Sequence, residues 1–187
     1  MFEANQHGGG TRWPLVRVQV GGTTTVTILR SRFFAMTVHW IGKSVPCPGD
    51  GCPLCDTLPA RGVFYMPGLC CGVVSLCEFS VQSANHLEQH CGLLHGGMRA
   101  GLIVKLRRSS AKSSIYTEVM GAMPSASEVP LLTVAARVMA LYQLPGPNPN
   151  ESIEQYETRI STLSLRRCEA IYKTCLKSGS LLGTRQA

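Results

Sequence analysis

Residues 39–55, HWIGKSVPCPGDGCPLC, hold the constellation with the clearest chemistry in this chain: His39, Cys47, Cys52 and Cys55. Cys52 and Cys55 form a Cys-Pro-Leu-Cys knuckle. A C-x2-C turn aims both sulfurs at one point, and the proline stiffens it. Pro48, Gly49, Asp50 and Gly51 make a bend that can double the chain back and turn Cys47 toward the knuckle. Three thiolates and one imidazole complete a closed tetrahedral Cys3His shell for one structural zinc. A closed shell leaves no position for a reactive water, so the metal reads as scaffold rather than catalyst. Two other readings compete. The knuckle has the spacing of a redox dithiol, although its Pro/Gly-rich approach differs from the strand-to-helix junction such pairs occupy. The cysteines can also be unrelated to one another.

A second cluster, His86, Glu88, His90, Cys91 and His95, invites a second-metal reading. His86 and His90 share a helix face at a spacing of four. The order H-x-E-x-H differs from the metalloprotease H-E-x-x-H, whose glutamate adjoins the first ligand, and no third ligand has suitable spacing. An ordinary helix bearing histidines is the expectation. No nucleophile elbow, phosphate loop, dinucleotide fingerprint or paired-carboxylate cluster is present. Two-metal nuclease chemistry needs clustered carboxylates, and the eleven acids here are scattered. The sequence therefore predicts a binding protein rather than an enzyme.

The formal net charge of +7 across 187 residues points to an anionic partner such as nucleic acid. A hydrophobic content of 44% supports a packed core rather than disorder. The nine cysteines are an odd number, and the opening MFEANQHGGG has no apolar signal core. No apolar run reaches the length of a membrane span. The expectation is a soluble, non-membrane protein of a reducing compartment, the cytoplasm of a prokaryotic or virus-infected cell.

The elements that must position these residues follow from periodicity. Residues 1–11 read as a flexible arm. Residues 12–20 alternate, with Val16, Val18 and Val20 on one face and Arg17 and Gln19 on the wet one. Gly21-Gly22 signals a hairpin. Residues 23–40 read as one bent strand or two short ones, with the bend at Ser31 and Arg32. A strand starts at Arg61, and after Pro67-Gly68 a further apolar segment runs over 70–81. Ser83 is positioned to open a short helix that Gly96-Gly97 closes. Residues 101–108 separate into an apolar face (Leu102, Val104, Leu106) and a face bearing Ile103, Lys105 and Arg107. Residues 109–114 form a turn, and 115–120 return as a strand. Ser127 and Pro130 open a helix running to about Gln143. Asn148, Pro149 and Glu151 open another that runs to about Lys177, its apolar positions recurring at three- and four-residue steps.

The fold expected is mainly β. An OB-fold-like barrel of five or six strands over 12–123, with the zinc loop 39–55 inserted, is followed by two helices over 124–187. The chain resembles the zinc-containing OB-fold single-stranded-DNA-binding proteins of T-even-type phages. The likeness rests on a His at a strand end, a Cys and a Cys-Pro-x-Cys knuckle in that order, here His39, Cys47 and Cys52-Pro53-Leu54-Cys55, and it covers residues 30–120. It implies sequence-tolerant binding of single-stranded DNA in replication, recombination or another DNA-processing event.

Single-strand binders need a positive groove and flat side chains for stacking. Between residues 99 and 112, Arg99, Lys105, Arg107, Arg108 and Lys112 carry charge without an intervening acid. Arg30, Arg32, Lys43 and Arg61 flank the metal loop. Of the aromatics Phe33, Phe34, Trp40, Phe64, Tyr65 and Tyr116, the adjacent pairs face opposite sides of their strands. One of each pair is then core, and Tyr65 is the expected exposed member because its hydroxyl tolerates water. Trp40 follows the ligand His39 directly. The bland reading of Lys105 and Arg107 is a solvated strand face. RNA is a second possible partner of the same fold, and the C-terminal helices can serve self-association or a protein partner. A zinc-stabilised protein-interaction module within a larger nucleoprotein assembly is the alternative from another functional class.

Overall fold

The computed structural model describes residues 13–110, 115–124 and 126–178. The expected arm and Lys112 lie outside them. In chain order the elements are β1 (Leu15–Val16), β2 (Thr23–Ile28), β3 (Phe34–Trp40), β4 (Ser44–Pro46), β5 (Ala60–Cys70), β6 (Val73–Ser80), α1 (Val81–His95), β7 (Leu102–Arg107), β8 (Tyr116–Ala122), α2 (Leu131–Leu141) and α3 (Ile153–Ser178).

The backbone of the fold is β5, eleven residues long. Its first half pairs antiparallel with β3, from Ala60↔His39 to Tyr65↔Phe34. Its second half pairs with β2 through Leu69↔Thr27 and Gly68↔Ile28. Along its other edge it pairs with β6, from Val63↔Ser80 to Cys70↔Val73. Among the described residues the sheet has eight strands, in the path β1-β6-β5-β2-β7-β8, with β3 branching from β5 and β4 paired to β3. This path does not close on itself. The expected barrel of five or six strands is replaced by an open, branched sheet.

Helices cover both faces of that sheet. On one face Ile28, Met66, Phe79, Val104 and Leu106 meet Leu87 and Cys91 of α1. On the other, Phe34, Val38, Tyr65 and Leu76 meet Val134 and Val138 of α2 and Tyr156 and Ile160 of α3. Residues 65 and 66 thus point into two different cores. This corrects the reading of Tyr65, which is only 1% exposed. Alternation yields a wet face only where one side of a strand meets water, and β5 is covered on both. The Phe33, Phe64 and Phe79 rings also pack edge-on, with centroids 5.4–5.8 Å apart along the two contacts.

Several boundaries moved for identifiable reasons. Pro67-Gly68 does not end a strand. The Pro67 carbonyl accepts from Leu29 N at 2.9 Å, and the turn comes later at Cys71-Gly72, where φ is +50° and +79°. β1 is two residues long and pairs parallel with β6, so the hairpin expected at Gly21-Gly22 does not form between β1 and β2. The cap of α1 is Ser80 rather than Ser83, since the Ser80 hydroxyl accepts from Ser83 N; Gly96 closes the helix in the left-handed region, as expected. The capping box of α3 is Ser152-x-x-Gln155. Ser152 Oγ accepts from Gln155 N at 3.2 Å, and Gln155 Oε1 accepts from Ser152 N at 2.9 Å. Glu151 does accept from Asn148 N at 2.7 Å, the reach-back contact expected of that signature, and it also pairs with Arg159 at 2.7 Å, but the helix itself begins later, at Ile153. The two strands over 23–40, their bend and the two faces of β7 stand as read from sequence; both C-terminal helices form, but α2 is entered at Pro130 with no side-chain cap, so Ser127 does not open it.

Gly101 locks β7 to its surroundings. Its N–H donates to Ile28 O at 2.7 Å and its carbonyl accepts from Met123 N at 2.6 Å, at φ +90°. A Cβ there would collide with the Met123 carbonyl. Gly101→Ala is therefore expected to lower stability by about 1–3 kcal/mol, through both the backbone conformation and the clash. Urea unfolding measures this, and an unchanged midpoint would show that the contact between Gly101 and Met123 is laxer than described.

Candidate metal centre and basic cleft

The end of β3, the short β4 and the loop after it assemble the metal site. His39 pairs with Val45 and Trp40 with Ser44 across the β3–β4 hairpin. Cys47 N donates to Thr37 O at 2.9 Å, which ties the first cysteine to the hairpin. Gly49 and Gly51 take φ of +88° and +74° and turn the chain back. Cys52 N then donates to Gly49 O, and Cys55 N to Cys52 O, each at 3.2 Å. The Gly49 N–H donates to Cys47 Sγ at 3.4 Å.

The ligand atoms of His39, Cys47, Cys52 and Cys55 all lie within 4.8 Å of one another. His39 Nε2 is 3.4 Å from Cys52 Sγ and 3.6 Å from Cys55 Sγ, and Cys47 Sγ is 3.6 Å from Cys55 Sγ. A tetrahedron with metal–sulfur bonds of about 2.3 Å and metal–nitrogen bonds of about 2.0 Å has edges of about 3.5–3.8 Å. The residues thus fit a single metal ion. A disulfide needs sulfurs about 2.05 Å apart, and none of the nine cysteines forms one. Loss of water around the Cys55 sulfur, followed by the neighbouring Cys47 and Cys52 thiols, pushes Cys55 up to about 12 without a cation. A cation at the centre reverses that, because thiols bind metals as thiolates. His39 is fully buried and its Nδ1 lacks a hydrogen-bond partner, so packing sets the ring orientation.

The metal loop has a hydrophobic back wall. Val45, Cys52 and Leu54 pack with Cys168 of α3, and Ile171 and Tyr172 extend the contact. Cys168 Sγ donates to Pro46 O at 3.5 Å. The spacing of apolar residues along the last helix gave no sign that the helix meets the metal loop. Among the described residues, the only group of three or more potential ligands is the one at His39. His86 Nδ1 instead shares a hydrogen bond with Thr117 Oγ1 at 2.9 Å, and its ring lies 4.7 Å from that of Tyr116.

Beside the metal site the same hairpin borders a cleft of about 510 Å³, lined by Arg17, Trp40, Ser44, Arg61, Glu78, Ser80 and Arg108 among others. A second cleft of about 450 Å³ shares Arg17, Trp40, Ser44 and Glu78 with it and adds Lys43, Tyr142 and Arg167. Trp40 is 60% exposed at their junction. The two hollows carry five cationic side chains and one acid, Glu78. Arg61 donates to Ser44 Oγ at 3.2 Å, and Arg167 donates to the Tyr142 carbonyl. Tyr65 forms the floor, where its hydroxyl donates to Glu78 Oε2 at 3.0 Å and meets the Tyr142 hydroxyl. Burial, then Tyr142, then Glu78 hold the Tyr65 phenol far above its ordinary range, so it remains a proton donor.

Of the residues expected to bind nucleic acid, Trp40, Lys43, Arg61 and Arg108 gather at this cleft, with Tyr65 beneath it. The others are elsewhere. Arg30 donates to Val129 O at 2.8 Å and clamps the β2–β3 bend to the approach of α2. Arg32 lies at the same bend, near Glu128. Arg99 is exposed in the loop before β7. Lys105 stands opposite Glu118 across β7 and β8, and Arg107 opposite Tyr116, on a separate shallow surface. Three cleft residues were not singled out. Arg17 was visible as the wet side of an alternating segment, and Glu78 as the lone acid in the apolar run 70–81. Arg167 gave no local sign, because α3 reaches the cleft only through tertiary packing.

Purified protein is expected to hold about one metal ion per chain, and Cys52→Ser/Cys55→Ser is expected to lose it with a drop in thermal stability. Elemental analysis and a melting curve on the same sample check this. Stoichiometric metal in the double variant would refute the ligand assignment.

Neither protein-family models, nor curated proteins, nor solved structures include a match to this chain.

Proposed function

We propose that this protein binds single-stranded DNA, without a catalytic step, through the cleft around Trp40, and that a structural zinc holds that cleft in shape. The observation that carries the reading is an exposed tryptophan ringed by Arg17, Lys43, Arg61, Arg108 and Arg167. Flexible single strands are bound by a positive groove that follows the phosphates together with an aromatic face on which a base stacks. The cleft supplies both. A duplex keeps its base faces stacked inside the helix, whereas a single strand offers them freely to an exposed ring such as Trp40.

Zinc is the metal favoured by a closed Cys3His donor set in a tetrahedron. Its role is positional. His39 is a ligand, Trp40 is the next residue, and Lys43 and Ser44 lie across the same hairpin. Binding is tolerant of sequence, because stacking and phosphate contacts are available to every nucleotide. Such a protein coats or presents exposed strands in replication, recombination or another DNA-processing event. An OB-fold-related ancestry is compatible with strands in this order, although the sheet here is open.

Arginines and tryptophan have separable signatures in a salt titration with labelled oligo-dT. Replacing Arg61 and Arg108 by Ala is expected to weaken binding and flatten the log–log salt slope by about one to one and a half, at about 0.7 per phosphate. Trp40→Leu is expected to cost roughly 1–3 kcal/mol with the slope nearly unchanged. Replacing Lys105 and Arg107 by Ala is expected to change both less than the Arg61/Arg108 pair does. A wild type that binds neither single-stranded DNA nor RNA at low salt would overturn the reading and leave the protein-interaction module in its place.

A further inference from the structure

Glu78 is out of place in a site built for phosphates alone. It lies where three hollows meet, the two beside Trp40 and one along Gly62 and Val81. A lone carboxylate among cations repels the phosphate backbone. Its Oε2 is occupied by the Tyr65 hydroxyl, which is itself held against the Tyr142 hydroxyl. That contact fixes the carboxylate at the floor of the cleft. Its Oε1 has no hydrogen-bond partner among the described residues, and Glu78 is in no ion pair there. Neutralising a neighbour is therefore not what the acid does in this geometry, and anchoring Tyr65 uses only one of its oxygens.

We infer that Glu78 reads one base of the bound strand by accepting hydrogen bonds from its edge, so that the cleft prefers guanine to thymine at that position. The inference rests on the single-strand reading above. Trp40, Arg17 and Glu78 line the same two hollows, so a base stacked on the tryptophan can keep its backbone toward the basic rim and turn its edge to the carboxylate. A carboxylate accepts only, so it rewards edges that carry N–H donors. Guanine sets N1–H and N2–H2 side by side, a match for a carboxylate. Cytosine and adenine each offer one amino group. Thymine offers a single N–H flanked by two carbonyl oxygens, which the carboxylate repels. One base read in this way leaves the rest of the strand free in sequence, consistent with a cleft that holds a single exposed aromatic ring.

The test compares oligo-dT with a strand of equal length in which every third thymine is replaced by guanine, in lithium buffer to prevent guanine self-association. Affinities are measured for the wild type and for Glu78→Gln, which keeps an acceptor for Tyr65. The wild type is expected to bind the guanine-containing strand about tenfold more tightly, within the discrimination that one good base contact provides. Glu78→Gln is expected to reduce that preference to less than twofold. Equal wild-type affinity for both strands would overturn the base-reading role and leave single-strand binding intact. A full preference retained in Glu78→Gln would assign the discrimination to another group and likewise overturn it. Failure of the wild type to bind either strand would remove the single-strand reading itself. The wild-type comparison needs no variant, so it decides the matter even if Glu78→Gln is poorly folded.

Discussion

Three thiols and an imidazole converge on one point at His39, Cys47, Cys52 and Cys55, a donor set that can hold one metal ion, and much of the surrounding structure is built around that convergence. The loop from Cys47 to Cys55 has almost no regular hydrogen bonding of its own beyond a few turns. Its shape is set by glycines with positive φ and by convergence on one point. From that point the constraint spreads in two directions. Forward, it fixes the β3–β4 hairpin, which carries Trp40, Lys43 and Ser44 to the cleft. Backward, it fixes Val45, Cys52 and Leu54 as a surface against which α3 lays Cys168, Ile171 and Tyr172. α3 then delivers Arg167 to the far wall of the cleft.

The second organising fact is that the central strands are covered on both faces. β5 and β6 send alternate residues into two cores, one capped by α1 and the other by α2 and α3. The C-terminal helices complete the core of the sheet rather than hanging from it as an appendage. Tyr65, Tyr142 and Glu78 sit where the second core opens into the cleft, so the floor of the site is part of the hydrophobic packing. This makes the floor rigid. The rim, with Arg17, Lys43 and Arg61, stands in water.

Much of this was legible in the sequence, and the parts that were not share a cause. The metal ligands could be read because their chemistry is local: a knuckle, a bend and a histidine within seventeen residues. The faces of β7 could be read because one side is apolar and the other is not. Tyr65 could not be placed, because its surroundings come from α2, more than seventy residues away. Lys105 and Arg107 form a convincing basic run in one dimension, yet Glu118 stands across from Lys105, while Arg108, the next residue, turns toward Trp40. The strand at residues 60–70 passes through Pro67-Gly68 in unbroken register with β6, and the Pro67 carbonyl is taken up by Leu29 N, partners distant in sequence that local turn signals do not display. Charge, in short, was visible as composition, and its gathering into one cleft was decided by the order of strands.

The central claim is that the metal shapes the binding cleft. Its most direct test is to strip the metal from the wild-type chain with a chelator and titrate labelled single-stranded DNA before removal, after removal, and after zinc is returned. The account predicts about one zinc per chain at the start, loss of most single-strand affinity on stripping, and recovery when about one equivalent is restored. A zinc-free chain that binds the strand with unchanged affinity and an unchanged response to salt would contradict it.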